Sequence, residues 1–381
     1  VDSLFDIHIH WSIWSFLALI LVAFLGVKSA DATSKILGVL LLLEFSAVAF
    51  FCFLALQNPA DGISVQTLSP TSLLGAGTGT LLAFTIAGFM GIESSAMYSE
   101  EAINPTKTIP NATLISIVII SAFYSFSSWS IAQSTGERHI VEAAQESGSD
   151  LFFNFIAEQG FSTVVPVIQL LLVTSLFAAV TAFHNSISRY LMALGREEVI
   201  WKKLGIVSSN GAPISASLVQ SIFGFVVIVA ALAMQLITGY DDTYPSAIVF
   251  SWMSNAGGFG LVFLLLTTSI SVFFYFRKRE GLYPAFVTKI APAIAIVGFG
   301  IMFALILANF ENLIGDADLW YLVFIIPSII LLCGVAGFIR GEILKRSKPH
   351  IYANIGSGHR PSEVVHEQVT DPSTGAARKT P

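Results

Sequence analysis

The sequence has 381 residues, of which 54% are hydrophobic and 12% are charged, and its formal net charge at pH 7 is −6. With a mean hydropathy of +0.76, a soluble globular domain of this size would expose a very large apolar surface. The composition therefore excludes that class and indicates a polytopic membrane protein. The net charge says little about partners, because the charged residues other than Glu44 and Glu93 lie in loops and tails, and no nucleic-acid partner is expected.

Nine apolar segments follow one another along the chain, each near the roughly 20 residues that a membrane-spanning helix needs. Strands of a membrane barrel would be about half as long and would alternate polar with apolar residues, which these segments do not do. The prediction is therefore an all-α integral membrane protein, a polytopic bundle of nine helices. The predicted spans are residues 11–27, 36–56, 73–98, 112–131, 161–183, 212–237, 248–276, 290–310 and 319–339.

The polar segments between and after the spans differ in character. Residues 151–160 form a short amphipathic stretch on the predicted outer surface, where they either cap a site or only pack. Residues 184–211 are predicted to continue the fifth span as a polar helix that ends in Lys202-Lys203-Leu204-Gly205. From residue 341 onward the chain is polar and rich in Gly, Ser, Pro and His. The domain prediction is a transmembrane domain over residues 1–340 and a cytoplasmic, disordered tail over residues 341–381.

The basic residues predict the orientation in the membrane. If the nine spans alternate in direction, every Lys and Arg falls on one side of the membrane except Arg138. By the positive-inside rule, that side is the cytoplasm. The prediction is a multi-pass protein of the cell membrane, with its N-terminus outside and its C-terminus in the cytoplasm.

The third span differs from the others because Gly88 and Gly91 interrupt it and Glu93 follows within the same apolar segment. Glycine destabilises a helix interior by about 1 kcal/mol per residue, and a carboxylate at membrane depth costs about 2.5 to 3.5 kcal/mol on insertion scales. Both are tolerated mainly where the backbone and the acid line a cavity or a substrate path. The alternative is that the glycines only allow neighbouring helices to pack closely.

Glu44 is the other carboxylate within a predicted span, and no Lys or Arg lies within any span to neutralise Glu44 or Glu93. One or both are therefore expected to be protonated part of the time, or to face water or substrate. The sequence shows no His cluster and no Ser/His/Asp set at the membrane surface. It predicts neither an enzyme nor a cofactor or metal site.

Three motifs resemble one family of transporters. The segments Gly-Phe-Met-Gly-Ile-Glu at 88–93, Glu100-Glu101, and Asn-Pro-Thr-Lys-Thr-Ile-Pro at 104–110 look like the sixth helix and following loop of the amino acid-polyamine-organocation (APC) transporters. Residues 188–196 with 211–213 are similar to that family's junction of helices eight and nine, and residues 26–28 with 34–35 resemble its junction of helices four and five. The resemblance covers residues 10 to about 340.

The resemblance implies a LeuT/APC-like inverted-repeat transporter fold of twelve helices. In this register the nine spans are helices 4–12 of 12, so we expect a fragment or a product truncated at its start. The implied function is secondary active transport of amino acids or related amines by alternating access, with proton coupling or exchange. The implied partners are that substrate, the lipid bilayer and, with coupling, protons. The alternative is a truncated, non-transporting membrane remnant or scaffold.

The resemblance also implies roles for individual residues. The broken helix is expected to bind substrate through Gly88, Phe89, Met90, Gly91 and Ile92. Proton coupling or gating is expected from Glu93 and Glu44, and the alternative for Glu93 is an acid that only ties down the broken backbone.

Two further expectations concern the cytoplasmic side and the seventh span. A cytoplasmic gate is expected from Glu100, Glu101 and Arg189, with solvated surface charges as the alternative. The glycine-rich residues 255–260 either bend the seventh span beside the site or allow a close packing contact.

Overall fold

The computed structural model describes residues 9–27, 30–73, 77–98, 102–208, 211–277, 283–311 and 320–356. Over these ranges the chain forms helices and turns and no strand, as the all-α prediction requires. In chain order the helices are α1 (Trp11–Gly26), α2 (Ala30–Gln57), α3 (Thr78–Ala87), α4 (Pro105–Thr135), α5 (Ile140–Ser147), α6 (Leu151–Ile156), α7 (Val165–Arg196), α8 (Ile214–Thr238), α9 (Phe250–Arg277), α10 (Ala291–Ala308), α11 (Leu322–Ser347) and α12 (Pro349–Ala353).

Eight segments of the described chain are long and apolar enough to cross a membrane, and each coincides with a predicted span. The remaining predicted span, residues 11–27, corresponds to α1, which is apolar but has only 16 residues. At 1.5 Å per residue, α1 extends about 24 Å, less than the roughly 30 Å of a hydrocarbon core. The eight segments are Gly38–Gln57, Thr78–Met97, Pro105–Thr135, Val165–Arg196, Ile214–Thr238, Phe250–Arg277, Phe286–Ala308 and Leu322–Ser347.

The fifth span does continue as a polar helix beyond residue 183, but the prediction that this helix ends at residues 202–205 is wrong. Helix α7 ends at Arg196, and a separate 3₁₀-helical turn covers Lys202–Gly205. The chain folds back on itself here, because a Cβ atom added to Gly195 would lie 2.6 Å from the backbone nitrogen of Gly205. Two glycines without side chains make this close backbone approach possible.

The predicted start of the disordered tail at residue 341 is also wrong, because α11 continues to Ser347 and α12 follows it. Leu344 and Ile351 are buried, and the Gly356 N–H donates a hydrogen bond to Glu197 Oε1 at 2.9 Å. Apolar burial and this hydrogen bond hold the segment against the turn after α7. Residues 357–381 lie outside the described part of the chain.

By its contacts the chain divides into two compact units, residues 1–9, 37–176 and 234–331 in the first, and residues 10–36, 177–233 and 332–381 in the second. In the first unit, α9 packs along α10 and α3. The ring of Phe259 is fully buried and stacks on Phe303 with 4.9 Å between centroids, while Phe310 meets it edge-on at 5.8 Å.

A second apolar cluster in the first unit shows what the amphipathic residues 151–160 pack against. Phe155 and Ile156 of α6 are buried against the C-terminal half of α2, where the Phe51 ring lies 5.3 Å from Phe155. The amphipathic stretch therefore packs on the bundle, and it turns at Gly160, whose φ of +87° suits glycine.

The second unit joins α1 to α7 and α8 at close range. A Cβ atom added to Gly26 would lie 2.7 Å from the His184 ring. His184 is buried, and its Nε2 lies 3.0 Å from Ser217 Oγ. The small residue on α1 thus makes room for a buried polar pair on α7 and α8.

Candidate functional site

The interruption predicted in the third span is present. Helix α3 ends at Ala87, and the Phe89 N–H bonds to the Ile86 carbonyl at 2.9 Å, a tighter pattern than that of an α-helix. Gly91 has a φ of +101°, a conformation that L residues rarely adopt. A 3₁₀-helical turn then covers Ile92–Tyr98. The span is thus two short helical pieces joined by residues 88–91.

Glu93 is hydrogen-bonded to the interruption itself. Its Oε2 accepts a hydrogen bond from the Gly91 N–H at 2.9 Å, and the Ser94 hydroxyl donates to the Gly91 carbonyl at 2.6 Å. Both polar groups of the Gly91 backbone thus bond to side chains of the following turn. These contacts match the structural alternative for Glu93.

Tyr124 on α4 contacts the interruption from a position 36 residues away in the sequence. Its hydroxyl donates a hydrogen bond to the Gly88 carbonyl at 3.1 Å, and its ring meets Phe89 edge-on with 5.9 Å between centroids. Sequence reasoning missed Tyr124. The available signal was a polar-tipped aromatic residue inside an apolar span, a position where the hydroxyl requires a partner.

The glycine-rich residues 255–260 lie in α9, which runs without a break from Phe250 to Arg277. A Cβ atom added to Gly257 would lie 2.6 Å from Met90 Sδ, and one added to Gly258 would lie 2.7 Å from the Ala83 carbonyl oxygen. Met90 is therefore directed at α9. These close contacts support the packing alternative for the glycines.

Glu44 lies on α2 and lines a cavity of about 610 Å³ in the first unit. Tyr124 lines the same cavity, so this one side chain borders the Glu44 cavity and contacts the interruption. Most of the other lining residues are apolar, and they come from α2, α4, α6 and α7. Within the described ranges, Glu44 has no hydrogen bond and no ion pair.

The other residues predicted for the site are Ile92, Arg189, Glu100 and Glu101. Ile92 begins the 3₁₀ turn, and its N–H bonds to the Phe89 carbonyl at 3.3 Å. Arg189 is half-buried on α7 in the second unit. Glu100 and Glu101 lie outside the described residues, so the gate stays a prediction. Among the residues that the structure describes, no group of three His, Cys, Asp or Glu side chains could hold a metal ion.

Sequence comparison decides the family. Residues 3–351 match the amino acid permease family. The chain belongs to this family. Membership confirms the helical fold of the APC superfamily and, with the eight apolar helices, a multi-pass membrane protein. It points to a transporter rather than an enzyme.

Individual relatives are distant. The chain is 25% identical to histidine permease HisP of Lactococcus lactis subsp. cremoris, over 58% of this chain and 48% of the relative. It is 24% identical to aromatic amino acid permease FywP of the same organism, over 70% of this chain and 55% of the relative. It is 24% identical to valine/tyrosine/tryptophan amino-acid permease 1 of Saccharomyces cerevisiae, over 54% of this chain and 32% of the relative. The chain spans about half the length or less of these curated relatives.

Proposed function

We propose that the protein transports amino acids or related amines across the membrane by alternating access, with the polar ends of the substrate bound at residues 88–92. The observation that carries this proposal is the interrupted helix at Gly88 and Gly91. A broken helix leaves carbonyl groups at the end of one piece and N–H groups at the start of the next without α-helical partners. Such ends are the usual substrate sites of transporters with discontinuous helices.

The two ends suit the two charges of an amino acid. The carbonyl end of α3 carries partial negative charge and favours an ammonium group, whereas the N–H groups of the following turn favour a carboxylate. The Gly88 carbonyl already accepts one hydrogen bond from Tyr124, but a carbonyl oxygen has two lone pairs and can accept a second. The names of the two bacterial relatives, for histidine and for aromatic amino acids, also support an amino acid as the substrate.

Glu93 is the proposed gating group of this site. Its bond to the Gly91 N–H closes the turn in the structure. A substrate carboxylate that takes over this N–H group releases the Glu93 side chain, which is then able to bind a proton or to reorient. We propose that this exchange of partners links substrate binding to coupling, either with protons or with a second substrate molecule. Glu44 is the second candidate for the coupling proton.

The test of transport is uptake of labelled amino acids by proteoliposomes. The 381-residue chain is reconstituted by itself and, in parallel, with any segment encoded upstream of Val1. Saturable uptake is expected from at least one of the two preparations. Its absence from both would contradict transport and favour the alternative of a non-transporting membrane protein.

The test of the site is Gly91→Ala in the active preparation. A Cβ atom at φ +101° costs about 1 to 3 kcal/mol unless the turn rearranges, and a displaced carboxylate-binding N–H group should slow uptake at least about tenfold. Gly298→Ala is the matched control, because the added Cβ atom in α10 meets nothing within 4 Å. Equal uptake by both variants would place the substrate away from the interruption.

The test of coupling is Glu93→Gln, compared with Glu146→Gln on the exposed face of α5. Glu93→Gln should abolish uptake driven by a pH gradient and retain exchange of substrate for substrate. The same measurement on Glu44→Gln, with a neutral amino acid, assigns the proton to one acid or the other. Gradient-driven uptake that survives both substitutions would exclude both acids as the coupling group.

A further inference from the structure

The Glu44 cavity is lined mainly by apolar side chains around a single carboxylate. Aromatic and aliphatic side chains form its walls, among them Phe45, Phe123, Phe152 and Leu171. The rings of Phe45 and Phe123 lie 4.3 Å apart. Its volume of about 610 Å³ falls within the range of small-molecule sites, which are apolar clefts with a few polar groups that orient the ligand.

Glu44 is the only acidic or basic side chain among the residues that line this cavity in the described chain. A carboxylate in apolar surroundings is strongly destabilised unless a cation or a proton compensates its charge. No described residue supplies that cation, so the compensating charge is either a proton on Glu44 or a positive group on a bound ligand. The cavity is complementary to a ligand that brings a positive charge.

The apolar walls favour an organic cation over a metal ion as the ligand. Hard cations such as Ca²⁺ and Mg²⁺ take about six or more oxygen ligands. Only three lining side chains carry oxygen, Glu44, Tyr124 and Ser175, and the Tyr124 hydroxyl already donates to the Gly88 carbonyl. An organic ammonium or guanidinium group needs fewer oxygen partners, and aromatic faces such as those of Phe45 and Phe123 attract it. The apolar walls then accommodate its hydrocarbon stem.

Tyr124 connects this cavity to the interrupted helix. It lines the cavity and contacts both Gly88 and Phe89 at the interruption. We propose that the Glu44 cavity receives the cationic side chain of the substrate while the amino and carboxyl groups bind at residues 88–92. The substrate class is then amino acids with a positive charge at the end of an apolar stem. This inference rests on the proposed transport function and narrows its substrate.

Lysine and norleucine test the proposal, because they have the same straight side chain and differ in the terminal ammonium group. Binding of each labelled amino acid to the full chain in proteoliposomes is measured at equilibrium. Lysine should bind at least about tenfold more tightly than norleucine. Glu44→Gln should weaken lysine about tenfold or more, because it removes the one charge opposite the ammonium group in the half-buried cavity, and should leave norleucine unchanged. Glu146→Gln, which removes an exposed charge of the same kind, should change neither affinity.

A second variant keeps the test independent of the charge change. Leu171→Phe narrows the cavity without altering any charge and should weaken lysine and norleucine together, with unchanged thermal unfolding as the sign of an intact fold. Norleucine bound as tightly as lysine by the unmodified protein would overturn the inference and leave the transport proposal standing. Lysine affinity unaffected by Glu44→Gln would likewise overturn it, and Glu44 would then be a proton site. Saturable binding of neither amino acid would contradict the inference and the site proposed for transport together.

Discussion

Close packing of α9 on α3 allows a sharp prediction from three neighbouring glycines. A Cβ atom added to Gly258 would lie 2.7 Å from the Ala83 carbonyl oxygen, about 0.7 Å short of the 3.4 Å at which ordinary contact begins. The obstructing atom belongs to the backbone, so α3 or α9 must move. A Cβ atom added to Gly260, two residues further on, would meet only Ile330 Cδ1 at 3.9 Å.

The expected energies follow from two opposing effects. Alanine stabilises a helix by about 0.8 to 1 kcal/mol relative to glycine, and overpacking costs about 1 to 3 kcal/mol. Gly260→Ala should show only the stabilisation from helix propensity, whereas Gly258→Ala should show that stabilisation together with the cost of overpacking. The two variants should therefore differ by about 1 to 3 kcal/mol, with Gly258→Ala less stable. Gly257→Ala should fall between them, because the Met90 thioether that it meets is flexible.

Thermal unfolding of the purified variants in one detergent measures the difference. At roughly 2 °C per kcal/mol for a protein of this size, the Tm of Gly258→Ala should lie about 2 to 6 °C below that of Gly260→Ala. Equal Tm values, or a higher Tm for Gly258→Ala, would refute the close approach of α9 to the α3 backbone. The packing role assigned to residues 255–260 would then fail with it.

Two further predictions concern the loops. The first uses a background without Cys333, in which a cysteine at Gln145 should react with an impermeant thiol reagent added outside cells and one at Lys203 should not. The reason is that one span, α7, separates the two positions and the basic side is expected to be cytoplasmic. The reverse labelling would refute the orientation. Burial raises the pKa of Glu137, but hydrogen bonds from Thr67 and its neighbours outweigh it and lower the pKa below 4.5. The stabilisation of this loop by the ionised Glu137 carboxylate is present above pH 4.5 and is lost as pH falls through the lowered pKa. Hydrogen exchange of the Thr67 amide, corrected for its intrinsic rate, should therefore accelerate at low pH in the unmodified protein and not in Glu137→Gln.

Hydropathy located the spans but not the ends of the helices. The polar end of α11, beyond residue 341, resembles a disordered tail in composition, yet Leu344 becomes buried and α11 continues to Ser347. The opposite error occurred after α7, where a polar segment was predicted to remain helical and instead turned back through Gly195 and Gly205. Composition reports the preference of a segment for water or lipid, whereas the end of a helix depends on contacts with residues distant in the sequence.

The sequence by itself determined the helical membrane class, the amino acid permease family and the position of the interruption. These are local properties, because a run of apolar residues requires a helix in lipid and glycine permits the φ of +101° at residue 91. Only the tertiary structure decided that the Tyr124 hydroxyl bonds to the Gly88 carbonyl and that Glu44 faces a cavity bordered by the same tyrosine. An apolar helix has no amphipathic pattern that predicts which side faces its neighbours, so the partners of a polar side chain within the membrane are set by helix packing alone.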